Sequence, residues 1–207
     1  TFRRYHEPFV GGGALFFELV RTGRLPATKT YLSDNNANLI AAYHGVRDDV
    51  DRVITLLLDH KRRHSERHYY DVRARTPKDV CEQAARIIYL NKTGYNGLYR
   101  ENSKGKYNVP FGRYKNPGIC DEPNLRAASK ALRKAKIEVR HFESVLDRAK
   151  PGDLVYFDPP YHPVSKTASF TSYDRGGFGE DGQRLLANVA RELDRRGVLV
   201  LLSNSMT

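Results

Sequence analysis

Nowhere in these 207 residues does an apolar run approach the roughly 20 that a membrane-spanning helix needs. No charged leader with an apolar stretch opens the chain, so neither a membrane anchor nor a secretory signal is expected. Cysteine is almost missing. Cys81 and Cys120 are too few for a disulfide framework or a zinc knuckle, which leaves a reducing compartment as the default. Repeats and low-complexity tracts are absent too. Acidic residues are in deficit, 24 against 35 Lys and Arg, giving a net charge of +11 and a pI near 9.7. That balance points to a polyanionic partner. The deficit is local: between Asp59 and Lys115, 14 Lys and Arg stand against 6 Asp and Glu. The middle of the chain is therefore expected to meet phosphate.

What is present starts with Leu154-Val155-Tyr156-Phe157, an apolar tetrapeptide between Pro151 and Pro159 that reads as a short buried strand. Asp158-Pro159-Pro160-Tyr161 ends it, because neither proline can donate to a sheet ladder or continue into a helix. A carboxylate, a stiff turn and an aromatic ring are thus fixed at a strand's C-terminal end, where open α/β sheets bind ligands. Upstream, Tyr5–Glu7 continues a strand begun at Arg3. Ala14 to Arg21 has helical apolar spacing, Thr30–Ser33 is a second strand ending at Asp34, and Asn35 or Asn36 caps a further helix. This β-α-β-α opening predicts a parallel sheet. Residues 49 to 91 read as continuous helix interrupted near Pro77, and 92 to 117 as a loop or hairpin rich in Gly, Asn, Tyr and basic residues. Leu125 to Ala135 reads as a basic helix. Sheet elements resume at Ile137–Val139, and a helix over 181–196 leads to a strand over 198–202. The expected fold is α/β, a Rossmann-like core formed by 1–50 and 136–207, with a mostly helical basic insertion at 51–135.

Glu7-Pro8-Phe9-Val10-Gly11-Gly12-Gly13 lies between a strand and a helix, where glycines allow a tight turn and close approach of a ligand. A dinucleotide fingerprint needs a third glycine at 16, where the chain has Phe16, so nicotinamide-cofactor binding is disfavoured. Asp34, about 20 residues on, is placed to hold ribose hydroxyls. Glu7, Asp34 and Asp158 are expected at one sheet edge. Such a trio repels a pyrophosphate and favours the sulfonium and ammonium groups of S-adenosylmethionine. His60, His64 and His68 stand at i, i+4 and i+8 on the expected helix. With no acidic or cysteine partner at matching spacing they are read as surface, and no metal site is assigned.

Five segments in order carry a resemblance: Glu7–Gly13; Ser33-Asp34-Asn35-Asn36; Asn91-Lys92-Thr93-Gly94-Tyr95-Asn96-Gly97-Leu98; Asn108-Val109-Pro110-Phe111-Gly112-Arg113-Tyr114; and Asp158–Tyr161. The chain resembles the Dam-type DNA adenine-N6 methyltransferases, the alpha-group, D12 class. The resemblance implies a site-specific enzyme that moves a methyl group from S-adenosylmethionine to the adenine amine of double-stranded DNA. It acts by base flipping, and GATC is the leading target. Asp158, Pro159, Pro160 and Tyr161 would be catalytic. Glu7, Pro8, Phe9, Gly11, Gly13, Asp34 and Asp158 would hold the cofactor.

For DNA, the resemblance gives Arg100 as the guanine reader, Tyr95 as the side chain inserted into the stack, and Asn96 as its base-contacting neighbour. Leu98 and Pro110 would touch thymine methyls, while Arg73, Asn108 and Arg113 would make backbone or supporting contacts. Phe170 and Tyr173 are candidates to cover the pocket. Arg62, Arg63, Lys104 and Lys106 read as solvated charges. The implied setting is a bacterial or phage-encoded cytoplasmic protein, nucleoid-associated through DNA, with no membrane and no obligatory protein partner. The family's lysine-bearing, glycine-rich segment would precede Thr1 and further strands would follow Thr207, so the core is expected to be incomplete at both ends. Two alternatives stay open: an amino-methyltransferase acting on cytosine or on RNA, and a DNA-binding module with a vestigial core.

Overall fold

A computed structural model describes residues 1–26, 29–102, 105–160 and 178–203. The chain divides into two compact units, one formed by Thr1–Ala37 with Lys134–Thr207 and the other by Asn38–Arg133.

The first unit is built on five strands: β1 (Tyr5–Glu7), β2 (Thr30–Asp34), β3 (Ala135–Val139), β4 (Leu154–Phe157) and β5 (Leu199–Leu202). All neighbours run parallel, in the order β3-β2-β1-β4-β5. Parallel neighbours need long crossovers. Helix α1 (Ala14–Arg21) links β1 to β2, and a helix over Glu180–Arg195 precedes β5. The order reverses between β1 and β4, so the ends of Glu7 and Phe157 border the switch point where such sheets form their crevice. This is the mixed α/β, Rossmann-like fold that the sequence predicts. Leu186, Val189 and Leu193 line one stripe of the helix before β5 and pack on Val155, Phe157 and Phe142. At the opposite end of the sheet, Asp153 is 1% exposed and accepts from Arg4 Nε at 3.0 Å and from the Lys150 amide at 2.9 Å, with His6 Nε2 at 3.0 Å. These bonds staple the start of β1 to the start of β4.

The second unit is helical. Most of α2 (Ala37–Asp48) belongs to it, followed by α3 (Val50–Arg62), α4 (Glu66–Ala74), α5 (Val80–Thr93) and α6 (Glu122–Leu132); the helix over Glu180–Arg195 is α7. Caps set the starts: Asp49 accepts from the Arg52 amide, Ser65 from His68, Asp79 from Cys81 and Glu82, and Asp121 from Asn124. The Ser65 cap divides what the sequence reads as one helix ahead of Pro77. Helix α6 begins earlier than expected, at the Asp121 cap, and ends at Leu132 because Ala135 is taken by pairing with Thr30.

The break at Ser65 also corrects the reading of the histidines. They do not share one helix, and they are not surface groups. His60 on α3 and His68 on α4 meet at 3.0 Å, and His64 contacts the Tyr89 hydroxyl at 2.9 Å. The His60 ring stacks on Tyr89 at 4.8 Å. Burial, then the charge of His68, lowers His60 to about 4, and burial lowers His64 and His68 as well. Among the described residues no three His, Cys, Asp or Glu side chains converge as metal ligands.

Candidate active site and nucleic-acid interface

In the sheet unit, β1 ends at Glu7 and the chain turns through buried Pro8 and half-buried Phe9 into the glycines. The Phe9 ring stacks on Phe142 at 5.0 Å and meets Phe157 and Phe178 edge-on at 6.3 and 5.5 Å. The Val10 amide donates to Ser33 O at 3.0 Å, carrying the turn over the end of β2. Gly11 and Gly13 hold φ of +45° and +66°, values that disfavour a side chain. Gly13 caps α1, and its amide donates to Val10 O at 2.6 Å. At Gly12 a Cβ would meet nothing within 4 Å, so the backbone there faces open space.

Asp34 ties this turn to the next. Its Oδ2 accepts from the Gly11 amide at 3.2 Å and its Oδ1 from the Asn36 amide at 2.9 Å. Its backbone carbonyl accepts from Arg140 at 3.1 Å. The turn after β3, His141-Phe142, thus joins the same edge, which the sequence reading missed. An aromatic pair directly behind a strand was the available signal.

Glu7 is 2% exposed and accepts from the Tyr5 hydroxyl at 2.8 Å. Burial pushes it up to about 8; the bonds from Tyr5 and the Phe16 backbone oppose this, and the charge of Asp158 adds to it. Of the expected trio of negative charges, Glu7 is therefore largely protonated at neutral pH, because no cation among the described residues pairs with it. Asp158 follows β4 and is exposed, Pro159 is buried and Pro160 half-buried. Tyr161, Phe170 and Tyr173 lie outside the described residues. A cavity of about 20 Å³ between Glu7, Ser33, Arg140 and Ser144 has room for one water and no more. The open backbone at Gly12 and the carboxylates of Asp34 and exposed Asp158 suit a cation-bearing nucleoside, so the residues present fit S-adenosylmethionine.

The helical unit carries the hairpin that follows α5. Gly94 bridges Phe111 and Glu101 bridges Tyr107. The Tyr95 amide donates to Pro110 O, Gly112 to Thr93 O and Asn108 to Arg100 O, each at 2.9 Å. Helices brace it from behind. The Tyr69 hydroxyl donates to Val109 O at 3.0 Å and Arg73 Nη1 to the same carbonyl at 2.9 Å, while within the hairpin the Tyr107 hydroxyl donates to Leu98 O at 2.8 Å. Arg73 also lies over the Tyr70 ring at 4.6 Å. At its foot, beside the Gly94–Phe111 bridge, Asn96 and Gly97 both hold left-handed φ, 53° and 62°, and Tyr95 is left 52% exposed. Pro110 and Arg113 are exposed, and Leu98, Arg100 and Asn108 are half-buried. Seven of the eight DNA candidates thus sit on this hairpin or its foot, and Arg73 supports it from α4. Arg62 and Arg63 stay exposed and pair with Asp59.

The profile of the D12 class N6 adenine-specific DNA methyltransferases matches residues 1–207. The chain belongs to this class. Among relatives, the type II methyltransferase M.MjaIII of Methanocaldococcus jannaschii is 46% identical over 217 residues, covering 98% of this chain and 74% of that protein. M1.LlaDCHI of Lactococcus lactis subsp. cremoris, also a type II methyltransferase, is 42% identical over 212 residues, 99% and 72%. The DNA adenine methylase of Escherichia coli K12 is 36% identical over 205 residues, 97% and 71%. The chain is thus a D12 adenine methyltransferase acting on DNA. Among the described residues, no helix is long and apolar enough to cross a membrane.

Proposed function

We propose that this D12 enzyme transfers the methyl group of S-adenosylmethionine to N6 of adenine within GATC, acting on a base flipped out of the duplex. The carrying observation is that the Asp158-Pro159-Pro160 end of β4 and the Glu7–Gly13 turn after β1 flank one switch point in the parallel sheet. When bound, the cofactor supplies a methyl group made electrophilic by its sulfonium. Asp34 accepts from ribose hydroxyls while still holding the Gly11 amide. Gly11 to Gly13 let the ligand reach the backbone.

The adenine amine is a poor nucleophile, because its lone pair is delocalised into the ring. The Asp158 carboxylate and the Pro159 carbonyl each accept one of its N–H bonds, which turns the lone pair toward the methyl group. With the donor bound, alignment and fixed dipoles, rather than a strong base, would drive an in-line displacement in which N6 bonds the methyl carbon as its C–S bond breaks, and the surplus N6 proton would leave through the Asp158 carboxylate to solvent. Tyr161 offers the face on which the extruded base stacks. On the hairpin, Tyr95 fills the vacated stack beside Asn96, Arg100 reads a guanine in the major groove, and Leu98 and Pro110 meet thymine methyls. The names of the M.MjaIII and M1.LlaDCHI relatives support a place in restriction-modification.

The test is transfer of labelled methyl to duplexes varied one base at a time, with Asp158→Ala beside the wild type. The expected result is transfer confined to GATC, abolished in Asp158→Ala while DNA binding persists. Equal rates on a scrambled site would reject the target, and turnover by Asp158→Ala would reject the role of the carboxylate.

A further inference from the structure

The Arg100 guanidinium does not stand alone on the hairpin. Its Nε donates to Asn108 Oδ1 at 2.8 Å and its Nη2 to the Asn108 backbone carbonyl at 3.3 Å. The Asn108 amide in turn donates to Arg100 O at 2.9 Å, so the two residues form a closed rung. No carboxylate among the described residues forms an ion pair with Arg100, and its charge is not spent within the fold. A guanidinium has two forked edges, Nε with Nη2 on the side and Nη1 with Nη2 at the end. Asn108 occupies the side edge completely. The end edge keeps both Nη1 hydrogens and one on Nη2, a planar pair spaced for two acceptors such as guanine O6 and N7.

We infer that Asn108 is a positioning residue for target specificity, clamping Arg100 so that only the end-on edge of its guanidinium meets a guanine. This rests on Arg100 as the guanine reader. The backbone half of the rung survives any substitution at 108, whereas the Oδ1 acceptor does not. An arginine held through one long bond alone swings, and it then accepts a site offering a single acceptor nearly as well as guanine.

The experiment measures kcat/KM for methyl transfer on the enzyme's own site and on duplexes in which each guanine is replaced singly by 7-deazaguanine, which lacks the N7 acceptor. Wild type is expected to lose roughly tenfold or more at one guanine, and Arg100→Ala to lose nothing further there. Asn108→Ala is expected to cut that discrimination severalfold, while Asn108→Asp, which keeps an acceptor at Oδ1, retains it with a raised KM for DNA. If Arg100→Ala keeps the wild-type penalty at every guanine, the reading of Arg100 fails. If Arg100→Ala loses the penalty but Asn108→Ala keeps it in full, the clamp fails and the reader stands. Loss of discrimination in a folded Asn108→Asp, judged by its melting curve, also overturns the clamp.

Discussion

The Tyr5 hydroxyl donates to the Glu7 carboxyl at 2.8 Å, two residues along the same face of β1. The groups facing that carboxyl are this hydroxyl, the Phe16 amide and the Asp158 carboxylate, and burial holds it at about 8 against an ordinary 4.5. A raised folded value means that stability from the neutral form is complete below the ordinary value and declines as pH rises, until it is lost above about 8. Glu7→Gln is therefore expected to flatten the fall of melting temperature across that window. At its alkaline end the variant should gain on the order of a few kcal/mol. Superimposable wild-type and variant profiles would refute this.

The histidine cluster works in the other direction. His60 lies at about 4, below an ordinary 6.5, with His68, Asp59, Arg63 and Arg75 as its charged or titratable neighbours. As pH falls through that interval the unfolded chain takes up the proton first, so the stability present above 6.5 is lost toward 4. His60→Gln should shallow this acid loss in urea melts. An unchanged slope would show that His60 does not carry it.

Two glycines should separate stability from binding. A Cβ on Gly112 would stand 2.9 Å from the Thr93 and Gly94 carbonyl oxygens and 2.5 Å from the Tyr114 ring. Gly112→Ala is expected to cost about 1–3 kcal/mol and to weaken duplex binding. Gly12 has open space instead, so Gly12→Ala should melt like the wild type yet bind S-adenosylmethionine more weakly by calorimetry. Equal cofactor affinity in a folded Gly12→Ala would remove this backbone from the cofactor site.

Asp34 joins two backbone amides and, on the proposed reading, a ribose. Asp34→Ala should raise the dissociation constant for S-adenosylmethionine by roughly tenfold or more, the worth of a bond or two to a charged acceptor. A dissociation constant unchanged from wild type would assign Asp34 to the turn alone.

The parallel sheet and its crevice were legible because strand ends were marked by residues with few conformational options, the glycines at 11 to 13 and the prolines at 159 and 160. The hairpin was legible as a basic, glycine-rich stretch, though not its bracing by Tyr69, Arg73 and Tyr107, which are side-chain bonds to carbonyls with no pattern in sequence. The histidines misled because Ser65 was not read as a cap. Counted on a continuous helix they share one face with no acidic or cysteine partner, whereas a turn at 63 to 65 folds His68 back onto His60. The charge of Glu7 is not legible for a related reason: sequence gives the acid but not its desolvation.

The half-exposed ring of Tyr95, raised on two left-handed residues, has an optical consequence. The chain contains no tryptophan, so Tyr95→Trp would install a sole indole fluorophore at the foot of the hairpin, excited selectively at wavelengths where the tyrosines absorb little. Insertion between bases would quench it, and the time course of that quenching would give the rate at which the helix of DNA is opened, independently of any methyl transferred.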